Sequence, residues 1–284
     1  MLTPQTKVKN LSKQIRLETE LYLKREDLHP FESHKGRSIP IMVEHYQKNG
    51  WKDFVISSSG NAALAAIYAC TEKNINLKIF VGKNIEEKKL HRLEKLTNSL
   101  NNISVEQVDR PKQASFKLDK DGKAKFLRQS TDKTALQGYY PLAKELSEIK
   151  NLSAIFVPTS SGTTAQGLYE GFKKLELAPQ IHIVQTTFCH PFTENTMEEE
   201  RSLANAIVDK VAHRKTKIEE VLKDSQGDAW IATNQEIANT IQLVEKTEDI
   251  KISANSALSI VGLQQALKQN IKFSGPVVCL VTGQ

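Results

Sequence analysis

Cysteine is scarce in this chain, with three residues, Cys70, Cys189 and Cys279, an odd number at wide spacing. That excludes a disulfide framework and a CxxC zinc knuckle, and leaves three small hydrophobes for a core. Aromatic residues make up 6% of the chain and tryptophan occurs twice, too little for the stacking platforms of a nucleic-acid binder. No apolar run approaches the ~20 residues of a membrane span, and the opening MLTPQTKVKNLSKQ lacks the apolar stretch of a secretory signal. We therefore expect no membrane association and a cytoplasmic location. Neither sign of charge dominates: 39 Lys+Arg against 33 Asp+Glu leave +6, which favours anionic small molecules without providing a nucleic-acid surface. The basic residues are interleaved with acids, as in IEEKKLHRLEK (85–95), the pattern of a solvated helical face laced with i,i+4 pairs.

What is present is a globular composition over 284 residues, 39% hydrophobic and 25% charged, long enough for one large α/β unit or two domains. Short β-rich runs alternate with helical stretches: FVIS (54–57), LKIFVG (77–82), ISVEQV (103–108), IFVP (155–158), IHIVQTT (181–187), AWIAT (229–233) and VVCLVT (277–282). Amphipathic segments such as NAALAAIYACTEK and TAQGLYEGFKKLE lie between several of them. Strand, helix, strand with continuous apolar strands implies parallel sheets covered on both faces, hence an α/β fold. Two stretches break the rhythm. DRPKQASFKLDKDGKAKF (109–126) has little apolar periodicity and a turn signal, and is expected to be a surface excursion; HPFTENTMEEERSLANAIVDK (190–210) is expected to be a loop entering a helix.

Three local motifs carry chemistry. In LYLKREDLHPFESHKGRSIPIMVEHY (21–46), a strand-like run is followed by a Pro-containing turn, then Lys35 and Gly36, then a helical pattern. A lysine at a helix mouth lies by the positive end of the dipole, which favours the neutral amine that a Schiff base needs. In SSSGNAALAAIYAC (57–70), Ser58, Ser59, Gly60 and Asn61 put hydroxyls, an amide and backbone N–H groups at a helix start, a receptor for a carboxylate or phosphate. In FVPTSSGTTAQGLYEG (156–171), Ser160, Ser161, Gly162, Thr163 and Thr164 form a similar turn with several converging donors, without the spacing or the lysine of an ATP-type P-loop. Each motif alone is also what an ordinary N-cap or a surface lysine would show. Two anion-receiving turns and one placed lysine together point to a phosphorylated carbonyl cofactor.

The order KREDLHPFESHKGR, SSSGN, SSGTTAQG and a closing VCLVTG resembles the fold type II pyridoxal-phosphate enzymes, the tryptophan synthase β-like group that includes threonine synthase, threonine dehydratase and cysteine synthase. The resemblance covers roughly residues 20–283. It implies pyridoxal 5'-phosphate as cofactor, with Lys35 as the lysine that holds it and later moves the substrate α-proton. It further implies that Asn61 bonds the cofactor's phenolic oxygen, that Ser58, Ser59, Gly60 and Asn61 hold the substrate carboxylate, that Ser160, Ser161, Gly162, Thr163 and Thr164 take the phosphate, and that Thr282 faces the pyridine nitrogen. A hydroxyl at that nitrogen, in place of a carboxylate, suits elimination or replacement at the side chain better than transamination.

LQGYYPLAKEL (136–146), IHIVQTTFCHP (181–191) and ISANSALSIVGL (252–263) resemble segments of the threonine synthase and threonine dehydratase branch. The chain departs from the family at Gly36, where many relatives carry Asp, and in the Ser and Thr that replace glycines at 160–164. The expected activity is a threonine synthase-like lyase acting on a small hydroxy or phosphohydroxy amino acid by β- or γ-elimination or replacement. Serine/threonine dehydratase activity, cysteine synthase-like activity and a catalytically silent relative that binds an amino acid or the cofactor stay open beside it. The resemblance implies two open parallel-sheet domains with helices on both faces: a larger one, residues 1–36 and 136–284, carrying the phosphate and pyridine contacts, and a smaller one, 37–135, carrying the carboxylate turn. It implies a homodimer and no nucleic-acid or membrane partner.

Overall fold

A computed structural model describes residues 2–193 and 201–283. The chain divides into two compact units, Met1–His29 with Tyr139–Gln284, and Pro30–Gly138, so that Lys35 belongs to the second. The first unit begins with β1 (Gln5–Lys7), α1 (Lys9–Gln14) and β2 (Leu21–Arg25). The second is built from α2 (Lys35–Lys48), β3 (Asp53–Ser57), α3 (Asn61–Glu72), β4 (Asn76–Gly82), α4 (Glu87–Thr97), β5 (Ile103–Val108), α5 (Pro111–Lys120), β6 (Lys125–Phe126) and α6 (Thr134–Gln137). The chain then completes the first unit with α7 (Tyr140–Leu146), β7 (Ala154–Pro158), α8 (Thr163–Lys174), β8 (Gln180–Thr186), α9 (Lys215–Ser225), β9 (Ala229–Ala232), α10 (Asn234–Glu248), α11 (Ala254–Lys268) and β10 (Val277–Val281).

The sheet of the first unit has the order β1-β2-β10-β7-β8-β9, parallel except for the short edge strand β1, which runs antiparallel to β2. Every residue of β7 and β10 is buried. Strands covered on both faces need apolar side chains at every position, which is why both are continuous hydrophobic runs. Their side chains divide with a period of two. Val277, Cys279 and Val281 join Phe156, Val184 and Trp230 in a core with Leu258 and Val261 of α11. Val278 and Leu280 join Ile155, Val157 and Ile183 in a second core with Leu142 of α7 and Leu168 and Phe172 of α8. The N-terminal segment is tied to this unit by Lys24, which is fully buried and donates from Nζ to Glu145 Oε2 at 2.6 Å and to the Thr3 carbonyl at 2.8 Å.

The sheet of the second unit has the order β5-β4-β3-β6 and is wholly parallel. Phe54, Ile56, Ile79 and Val81 pack with Met42 and Val43 of α2 and Leu64 and Ile67 of α3. On the alternate positions Val55, Phe80, Ala124 and Phe126 form a smaller core with Ala114 and Leu118. Those last two residues correct one expectation, because the segment 109–126 is not a surface excursion: residues 111–120 form α5. Pro111 sits in the first turn, where a missing N–H costs nothing, and Ala114 and Leu118, four apart, make an apolar stripe too narrow to register in a mostly polar decapeptide. Of 190–210, residues 194–200 lie outside the described residues, 201–210 carry no helix, and the next helix starts at Lys215. Among the described residues no helix is long and apolar enough to cross a membrane.

Candidate functional site

Lys35 is the first residue of α2 and is half-buried. The turn before it is tight: Lys35 N–H donates to Ser33 Oγ at 3.4 Å, Gly36 N–H to the Ser33 carbonyl at 3.0 Å, and Arg37 N–H to the His34 carbonyl at 3.1 Å. Pro40, one turn on, withholds the N–H that the Gly36 carbonyl would otherwise accept. In the same unit β3 ends at Ser57, and Ser58, Ser59, Gly60 and Asn61 form the half-buried turn that opens α3. Gly60 N–H donates to Ser58 Oγ at 3.3 Å, and no side chain caps the helix. Ala63 and Leu64 N–H donate to the Gly60 carbonyl at 2.8 and 3.2 Å, so the donors the turn can offer a ligand are those of the first two helical residues, Asn61 and Ala62. α2 and α3 pack against each other, so Lys35 and Asn61, each the first residue of its helix, belong to one helical layer.

The other predicted residues lie in the first unit, at the C-terminal ends of its strands. β7 leads into the turn Thr159–Gly162, and β10 into Thr282. β10 is the neighbour of β7, the last pair of their ladder being Cys279 with Phe156, and Thr282 follows the end of β10; on the other side Pro158 is paired with Val184, and Thr159 N–H donates to the Val184 carbonyl at 2.8 Å, next to Gln185. Gly162 is the N-cap of α8, with φ of 80° and no side-chain cap. A Cβ there would meet Ile218 Cγ1 at 2.7 Å and Phe192 Cζ at 3.3 Å, so backbone conformation and space both require glycine. Ser161 and Thr163 hydroxyls bond each other at 2.9 Å. Ser160 Oγ accepts from Val208 and Asp209 N–H, both at 3.2 Å, which leaves its own proton as its donor. Gln185, fully buried, accepts from Phe192 N–H at 3.2 Å, while its Nε2 has no hydrogen-bond partner among the described residues. An uncapped helix start, hydroxyl donors, an orphaned amide donor and no lysine or arginine in 159–164 make a donor set for an anion held by hydrogen bonds.

The family model for pyridoxal-phosphate dependent enzymes matches residues 2–283. The chain belongs to that family. Pyridoxal 5'-phosphate is its cofactor, and the fold is that of the fold type II members. Among curated relatives, threonine synthase of Methanocaldococcus jannaschii is 26% identical over 305 residues, 99% of this chain and 74% of that protein. L-serine dehydratase/L-threonine deaminase of Mus musculus is 27% identical over 178 residues, 61% of this chain and 54% of that protein. Among solved structures, a fungal L-serine ammonia-lyase from Rhizomucor miehei superposes with a TM-score of 0.82 at 20% identity, covering 100% of this chain and 93% of that one. The donor set before α8 fits the phosphate of this pyridoxal-phosphate dependent enzyme's cofactor.

Two features around these residues escaped the motif argument. The end of β10 is stapled to the start of α11: Ser256 Oγ accepts from Thr282 N–H at 3.0 Å and donates to the Gly283 carbonyl at 3.0 Å, and Ser253 Oγ donates to that carbonyl at 2.6 Å. The SANS run carried the signal, a serine N-cap with a second serine three residues on, but nothing in the sequence named its partner. The backbone of Gly138 is pressed against α2, where a Cβ would stand 2.2 Å from the Arg37 carbonyl oxygen. A lone glycine in LQGYY gives no hint of a contact a hundred residues away.

Proposed function

We propose that the protein is a threonine synthase-like lyase acting on a small hydroxy or phosphohydroxy amino acid by β- or γ-elimination or replacement. The observation that carries this reading is the arrangement at the strand ends: a glycine-capped, uncharged donor turn between β7 and α8, with the hydroxyl residue Thr282 following the neighbouring strand β10. The extent of the threonine synthase match, 99% of this chain, supports it. Bound, the cofactor supplies an electron sink that acidifies the α C–H of an amino acid joined to it. Lys35 would hold the cofactor covalently and, once released, carry the substrate α-proton on Nζ. Backbone and hydroxyl donors of Ser160, Ser161, Gly162, Thr163 and Thr164 would hold the phosphate, and Asn61 Nδ2 the phenolic oxygen. Ser58, Ser59, Gly60 and Asn61 would orient the substrate carboxylate at the start of α3. Thr282, neutral, would leave the pyridine nitrogen without a charged partner, which directs the reaction to loss of a side-chain group.

In this reading residues 1–36 and 136–284 supply the phosphate and pyridine contacts, 37–135 supply the carboxylate turn, and the working form is a cytoplasmic homodimer. Serine/threonine dehydratase activity is the second reading, favoured by the deaminase match over 61% of the chain. Steady-state assay of the purified protein with O-phosphohomoserine, L-serine, L-threonine, and O-acetylserine with sulfide separates them. Threonine and phosphate from the first substrate support the proposal; keto acid and ammonia from serine or threonine support the second reading. Cysteine from O-acetylserine, or no turnover of any of the four, contradicts both.

A further inference from the structure

Three residues before Lys35, Glu32 has a backbone φ of 62°, in the left-handed region where a residue with a long side chain is uncommon. Such a conformation persists only where its surroundings over-determine it. Here they do so through the side chain. The Glu32 carboxylate accepts from Tyr68 Oη at 3.0 Å and from the Arg92 guanidinium. The Tyr68 ring also packs on Phe31, with ring centroids 5.3 Å apart at an interplanar angle of 34°. Burial and the carboxylate both push the Tyr68 phenol upward in pKa, which keeps it a donor. Tyr68 lies on α3, seven residues from Asn61, and Arg92 lies on α4.

We propose that Glu32, Tyr68 and Arg92 form a clamp that positions Lys35. The clamp holds the left-handed bend at Glu32, the bend aims the chain into the Ser33–Arg37 turn, and that turn sets the amine at the mouth of α2. Tyr68 ties the bend to α3, the helix that begins with Asn61, so one side chain references the lysine turn to the carboxylate turn. The inference rests on the proposed role of Lys35 in holding the cofactor. Glu32, Tyr68 and Arg92 act through the backbone and are positioning residues.

The test uses the full-length chain with three substitutions. Glu32→Gly suits the left-handed bend and removes the clamp, Glu32→Gln keeps an acceptor for Tyr68 and loses the charge facing Arg92, and Tyr68→Phe keeps the ring and loses only the hydroxyl. Because glycine loosens a backbone by itself, Tyr68→Phe carries the decision. Two quantities are read: amide hydrogen exchange by mass spectrometry, and the rate at which cofactor-free protein captures added pyridoxal phosphate, the Lys35 amine condensing with the aldehyde and releasing one water. In Tyr68→Phe and Glu32→Gly, amides 33–37 are expected to exchange up to about tenfold faster, the range of one net hydrogen bond. β3 and β4 should keep their protection, and capture should slow by a similar factor. Glu32→Gln should fall between these variants and the unsubstituted protein. Unchanged exchange at 33–37 and unchanged capture in Tyr68→Phe would overturn the clamp, as would protection lost equally across β3 and β4, which marks a merely structural contact. If the unsubstituted protein captures no cofactor on Lys35, the functional reading fails, while the exchange data still decide whether the clamp holds the turn.

Discussion

His182 shows how one side chain in the core can set a pH dependence. It is buried, stacked on Phe156 with centroids 4.4 Å apart, and its Nδ1 accepts from Asp228 N–H at 3.0 Å and from Trp230 Nε1–H at 3.2 Å. Both partners are obligate donors, so Nδ1 carries no proton, and Nε2 faces Gln180 Oε1 at 3.1 Å. Burial pushes the ring down from 6.5 to about 4. Between those values the unfolded state binds the extra proton, so stability rises with pH there; it is complete above about 6.5 and is lost as pH falls through about 4. The full effect is about 3 kcal/mol. Urea unfolding at pH 7 and pH 5 should show about 2 kcal/mol of this loss, and His182→Phe, whatever its stability at pH 7, should show a smaller one; equal pH slopes would remove His182 as the cause. The three cysteines are all buried, and burial alone raises the Cys70 thiol to about 12. A thiol reagent should therefore label none of them in the native protein and all three in denaturant. At this scale the sequence displayed whatever was contiguous in the chain. Lys35, Ser58–Asn61 and Ser160–Thr164 could be picked out because each motif supplies its own turn and helix start. Glu32 could not, because its meaning lies in Tyr68 and Arg92, whose positions follow only once α3 and α4 have packed.

Helix starts are where the elements of this fold place their polar groups. α10 opens with a capping box, Glu236 N–H donating to Thr233 Oγ1 at 3.2 Å and Thr233 N–H to Glu236 Oε2 at 3.0 Å. α3 and α8 open on glycines with no side-chain cap. Ser161→Ala should weaken pyridoxal phosphate affinity by about the 1 kcal/mol of a net hydrogen bond. Gly162→Val should abolish tight binding, since it adds a clash with Ile218 to a left-handed backbone; cofactor titration followed by absorbance checks both, and equal effects would argue against a backbone cradle. Gly138→Ala should displace the Arg37 carbonyl and with it the first turn of α2, lowering the stability of the Pro30–Gly138 unit by roughly 1–3 kcal/mol, readable as earlier unfolding of β3 and β4 in hydrogen exchange. Strands were the most legible elements, because burial on both faces forces unbroken apolar runs such as VVCLV. α5 was hidden because its two half-buried apolar side chains, Ala114 and Leu118, suffice against a small sheet and make no visible period.

On the scale of the whole molecule, the order of motifs along the chain revealed the family, while the choice of reaction stayed out of reach. Family membership is encoded in four separated segments that must each fall at a strand end, a pattern that chance does not assemble. Reaction choice depends on which groups surround the substrate side chain, and no contiguous motif in the chain names them. The relatives make the same point, since a threonine synthase and a serine/threonine deaminase both align with this chain at similar identity. The claim on which every functional statement here depends is therefore the covalent seat of the cofactor at the start of α2. Borohydride reduction of the purified, cofactor-loaded protein followed by peptide mass mapping tests it most directly. The account predicts a single pyridoxyl-phosphate adduct on the peptide containing Lys35, absent from Lys35→Ala; an adduct on any other lysine, or none in protein saturated with pyridoxal phosphate, would contradict it.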